Sequence, residues 1–265
     1  MAADLDHLSH VKAESKRFRA LLKDADPAAP VPTCPEWDAA DLLWHLTEVQ
    51  AFWARVVQQR PSHPRELQGD DLVRPGDHPA LLALAEQSAD DLVAALRRTP
   101  PQTPVWTWAE DHSVGFVLRR QAHEALVHRV DAECVVDRRT PLDPQLAADG
   151  VDEALRVMLG GAPEGTKLSV DAAATIRLRC TDTGHSWLVS LARFDGTDEH
   201  GSPSSGPTLV TAAQDHDLPT AATVAAAAGD LDCWLWGRPP LGEVNLAGDV
   251  RVLGRLREII GSGIN

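Results

Sequence analysis

RRQAHEALVHRVDAE, residues 119–133, places two histidines and three carboxylates inside a predicted helix spanning about 114–136. The segment is close to the metalloprotease pattern of two histidines at i and i+4 but does not match it. His123 and His128 are five residues apart. At 3.6 residues per turn they point roughly 140° from each other, so they do not readily share an ion. Glu124 and His128 are four apart and lie on one face, one turn above the other. A carboxylate and an imidazole at that spacing can chelate one metal. A catalytic zinc usually takes three protein ligands and keeps an open position, so a third ligand has to come from a facing helix.

Upstream, Asp38 is a plausible cap for a helix over about 38–59, with Leu42, Leu43, Leu46, Val49, Phe52, Trp53, Val56 and Val57 at helical spacing. His45 sits in its middle, within DLLWHLTE (41–48), and is the best candidate for the third ligand. A hydrogen-bonded core histidine is the competing reading. Glu48, three residues on, faces nearly the same way. It is the candidate catalytic carboxylate, able to orient a ligand or shuttle a proton, against an ordinary solvated role. Asp131 can hold an imidazole N–H or pair with Arg120 or Arg129, and the ion pair is the expectation. His123 is expected at the surface, Cys34 as a small buried residue, and Trp44 and Trp53 in the core.

Further helices are predicted over 5–24, 79–98 and 144–159. GGAPEG (160–165) reads as a linker, placing a metal-binding helical bundle domain at 1–160 and a second domain at 161–265. Beyond it the period changes to two. Thr175–Cys180 and Ser186–Arg193 alternate, with hairpin turn chemistry in TDTGH (181–185) between them. Residues 207–211 and 243–246 read as strands, the alanine-rich 220–229 as a helix, and 249–260 as a closing helix. The fold class is therefore an all-α N-terminal domain followed by a smaller α+β domain.

Of the 265 residues 43% are hydrophobic, enough for a sizeable core, and the formal net charge is −14. With no basic run, a nucleic-acid-binding surface is not expected. No stretch reaches the ~18–20 apolar residues a bilayer span needs. The opening MAADLDHLSHVKAESKRF lacks the apolar core of a signal peptide. Cys34, Cys134, Cys180 and Cys233 are scattered, so free thiols and a cytoplasmic location are expected, with no membrane partner.

TCPEWD (33–38), DLLWHLTE (41–48) and the 119–133 segment, in that order, resemble the mycothiol-dependent maleylpyruvate isomerase family, within the DinB-like group of metal-binding four-helix bundles. WLWGRPP (234–240) and VNLAGD (244–249) are similar to that family's C-terminal domain. The resemblance implies a metal triad falling on His45, Glu124 and His128, with zinc as the default ion. It implies a thiol cosubstrate, mycothiol, and an electrophilic or unsaturated small-molecule substrate. A thiolate would add to an activated cis double bond, rotation would follow, and elimination would give the trans product. In a transferase the adduct is released instead. Arg238, in the family-like WGRPP segment, is the candidate anchor for a substrate carboxylate, against a role in fixing its own turn. The alternatives are a metal-dependent hydrolase and a non-catalytic metal- or ligand-binding module. An open coordination position beside a thiol-sized pocket separates an enzyme from the latter.

Overall fold

The computed structural model describes residues 5–69, 71–198, 201–212 and 219–263. It divides into two compact units between Thr140 and Pro141.

In the first unit four long helices form in sequence: α1 (His7–Leu22), α2 (Ala39–Gln59), α3 (His78–Arg98) and α4 (Val114–Val135). Each starts at a side-chain cap, which satisfies backbone N–H groups that have no partner inside the helix. Asp6 accepts from Ser9 N, Asp77 from Ala80 N and Ser113 Oγ from Phe116 N. At α2 the cap is reciprocal: Asp38 Oδ1 accepts from Asp41 N at 2.8 Å, and Asp41 Oδ2 from Asp38 N at 3.2 Å. This cap fixes where the helix carrying His45 begins. Phe18 and Leu22 of α1, Leu42, Leu43 and Leu46 of α2, and Leu81 and Ala85 of α3 are buried in one cluster. α1 packs on α3 and α4, and α2 on α3 and α4.

α4 is the exception to amphipathic patterning. Arg120, Gln121, His123, His128, Arg129, Asp131 and Glu133 are all buried along it. Burying charge is costly without a partner, so the arrangement of these side chains decides what the helix does. His123, expected at the surface, is buried with its ring edge-on to His7.

The second unit begins earlier than the glycine-rich stretch at 160–165 suggested. α5 (Pro144–Glu153), whose continuation Ala154–Met158 widens into a π-helix, packs on α6 (Ala228–Leu235). The two helices approach closely at Gly150, where a Cβ would lie 2.7 Å from Asp232 Oδ2. This packing assigns residues 141–160 to the second unit, in place of a division at 160/161.

Five strands follow: β1 (Thr166–Cys180), β2 (Ser186–Thr197), β3 (Pro203–Thr211), β4 (Ala222–Ala226) and β5 (Asn245–Gly248), with α7 (Val250–Gly263) last. The sheet order is β3-β2-β1-β4-β5, with β1 and β4 parallel and the other neighbours antiparallel. The predicted hairpin at 181–185 joins β1 to β2. The helix expected over 220–229 is instead strand β4, with a helix starting only at Ala228. Alanine favours helix locally, but Ala222–Ala226 pair residue by residue with Ile176–Cys180 at the open edge of β1, and that non-local pairing prevails.

Candidate metal centre

Glu124 and His128 stand one turn apart on α4, and α2 brings His45 to them. His45 Nε2 lies 3.4 Å from Glu124 Oε1, and His128 Nε2 lies 3.1 Å from the same oxygen. One ligand atom from each of the three residues falls within 4.8 Å of the others. Ligands at about 2.1 Å from a tetrahedral ion stand about 3.4 Å apart, so the donor set fits a divalent metal in chemistry and in spacing.

The surrounding groups aim the donors. Asp131 Oδ2 lies 2.9 Å from His128 Nδ1. With the proton of that pair on Nδ1, Nε2 presents a lone pair to an ion. Arg120 Nη2 donates to Glu124 Oε2 at 2.7 Å, which leaves Oε1 facing the two imidazoles. Asp131 serves His128 in this way, while Arg120 reaches Glu124, and Arg129 reaches Glu14 and Glu133. Burial disfavours charge on both Glu124 and His128, yet hydrogen bonding outweighs it. Contacts from His128, His45 and Arg120 hold the Glu124 carboxyl well below the usual range. Asp131 and Glu124 lift His128 to about 9. A divalent ion bound here would compete with the proton for His128 Nε2.

The centre is open on one side: the His45 side chain is 34% exposed, against 9% for His128. Trp37 flanks it, its ring centroid 4.7 Å from that of His45 and 6.2 Å from that of His128. It belongs to the turn before α2, where Thr33 Oγ1 donates to Asp131 Oδ1 at 2.6 Å. Sequence reading gave Thr33 no role and did not pair Arg120 with Glu124; their i, i+4 spacing was the signal available for that pair.

Glu48 is exposed on α2, and no hydrogen bond or ion pair among the described residues joins it to the triad. Arg238 lies in the second unit, half-buried, with Nη1 donating to the carbonyl of Trp236 at 2.7 Å. It lines a cleft of about 420 Å³ together with Trp234, Pro239, Arg257 and Ile260. Trp53 is in the core, stacked on Trp106, while Trp44 is half-buried. None of the four cysteines forms a disulfide; Cys34 is half-buried against the first unit's core. No described helix is long and apolar enough to cross a membrane.

Residues 8–133 match the family model of the mycothiol maleylpyruvate isomerase N-terminal domain, and residues 145–255 match the model of the C-terminal domain of the same family. Among solved structures, the mycothiol-dependent maleylpyruvate isomerase and a histidine-to-alanine mutant of it each superpose with a TM-score of 0.59 at 14% identity. The matches cover 92% of this chain and 93% of theirs, a likeness of fold. A comparison with curated proteins finds no match.

Proposed function

Because the chain belongs to the mycothiol maleylpyruvate isomerase family, we propose that it is an enzyme using a low-molecular-weight thiol, mycothiol, with a divalent metal held by His45, Glu124 and His128. Its reaction is a cis–trans isomerisation of the maleylpyruvate type or transfer of the thiol to an electrophile. Zinc is the ion that suits a reaction without redox change. The observation that carries the reading is the convergence of two imidazole nitrogens on one carboxylate oxygen, open to solvent on the His45 side.

The roles of the chain's own residues follow from their contacts. Asp131 holds the His128 ring with Nε2 toward the centre. Arg120 offsets the charge of Glu124 and turns Oε1 inward. Trp37 covers part of the centre and limits water, while the exposed edge of His45 leaves an approach. A divalent ion bound there would supply Lewis acidity and favour the thiolate form of a bound thiol. Glu48, exposed three residues beyond His45, is proposed to exchange protons with solvent. Arg238, beside Arg257 in its cleft, is proposed to take a substrate carboxylate. A cytoplasmic location belongs to the same reading, supported by four cysteines outside any disulfide.

Metal analysis of the wild type beside His45→Ala and His128→Ala, with mycothiol titrated into the cobalt-loaded proteins, tests it. The expected result is about one ion per wild-type chain, loss of that ion in both variants, and a thiol-dependent change in the cobalt spectrum. An ion that ignores every thiol points to hydrolase or binding-module function. Metal content independent of both histidines removes the centre from the proposal.

A further inference from the structure

We infer that Thr33 is a positioning residue of the metal centre, fixing the His128 ring through Asp131 and so tying the turn that leads into α2 to the ligands on α4. The inference rests on the site reading above. Asp131 is fully buried, where a carboxylate oxygen lacking a donor is costly. Its Oδ2 faces His128 Nδ1 at 2.9 Å and its Oδ1 accepts from Thr33 Oγ1 at 2.6 Å. An ionised carboxylate only accepts, so the threonine hydroxyl is the donor. With each oxygen engaged by a separate donor, the carboxylate cannot rotate without losing both bonds, and the imidazole plane is held with it.

Thr33 lies 98 residues from Asp131, in a turn closed by Cys34 N to Val31 O, Trp37 N to Cys34 O and Val31 N to Trp37 O. The turn ends at Asp38, the cap of α2. The same stretch, residues 31–38, thus sets the start of the helix that carries His45, lays Trp37 against both imidazoles, and fixes the orientation of His128. A slip of this turn would disturb ligands on two helices at once, and the Thr33–Asp131 bond resists that slip.

The test compares the full-length wild type with Thr33→Val, which keeps the shape and removes the hydroxyl, and Thr33→Ser, which keeps the hydroxyl. Zinc affinity is read by competition with a chromophoric chelator, geometry by the visible absorption of the cobalt-loaded protein, and fold by thermal unfolding of the metal-free protein. We expect Thr33→Val to lower zinc affinity about tenfold and to shift the cobalt bands, with Thr33→Ser restoring both. If Thr33→Val binds zinc as tightly as the wild type with unchanged cobalt bands, the inference is overturned, whatever happens to the unfolding temperature. It is overturned equally if the serine variant is as impaired as the valine one. A wild type that binds no zinc overturns the site reading and this inference together; a wild type that binds while Thr33→Val matches it overturns this inference alone.

Discussion

Two of the carboxylates on α4, Glu124 and Glu133, stand nine residues apart, and their surroundings differ in kind. Glu133 is fully enclosed. Its Oε1 accepts from Arg17 Nε, Arg129 Nη1 and Thr140 Oγ1, and its Oε2 from Thr140 N. Arg129 reaches on to Glu14, so charges and donors are matched within the first unit. Glu124 has one oxygen settled by Arg120, while its other oxygen meets two imidazoles beside an exposed edge. Both carboxyls lie below their usual range. A lowered carboxyl by itself therefore does not separate scaffold from site. The separation comes from whether protein donors exhaust the lone pairs or leave several converging on a shared point.

Removing Glu133 is the strongest way to break this comparison. Glu133→Ala leaves the buried Arg129 short of a partner, and a loss of ~3–5 kcal/mol is expected in denaturant unfolding. Any chain that still folds should keep its metal stoichiometry. Loss of metal with little loss of stability would reverse the assignment of the two carboxylates. Asp131→Asn probes the other site. It weakens the hold on His128 Nδ1, and zinc affinity in chelator competition should fall 10–100-fold with a smaller change in stability. Unchanged affinity would make Asp131 a scaffold residue like Glu133.

pH dependence sharpens the contrast at the closed network. Burial pushes the Glu133 carboxyl up, but Thr140 and Arg129 outweigh burial and hold it below its unfolded value. Its contribution is therefore complete above the unfolded carboxyl range and is lost as pH falls through the lower folded value. Unfolding temperature should drop with acidification in the wild type and more shallowly in Glu133→Gln; equal slopes would remove Glu133 as a source of acid sensitivity. The smallest effect concerns the α2 cap, where Asp38→Ala should cost ~1 kcal/mol in thermal unfolding. The metal should be retained, because His45 sits two turns further into the helix.

Much of the first unit was legible from local pattern. The helix containing His45 shows apolar residues at helical spacing, and Asp38 is its recognisable cap. The second unit was less so, because its sheet depends on which segments meet. β4 has no alternation strong enough to outweigh its alanines, and only the free edge of β1 makes it a strand. The domain boundary was misplaced for a related reason: glycine marks a flexible stretch, whereas the contact of α5 with α6 at Gly150 decides where a unit begins.

The sequence by itself determined that Glu124 and His128 share a helix face, because a four-residue spacing fixes that in any α-helix. It determined the α2 cap and the ordered motifs that mark the family. Tertiary structure alone decided that the Glu124 oxygen facing α2 meets His45, that Asp131 meets the His128 ring nitrogen, and that Thr33 reaches Asp131 across 98 residues. Helical spacing acts over one turn of chain. Contacts between helices depend on how whole faces pack, and no local pattern records them.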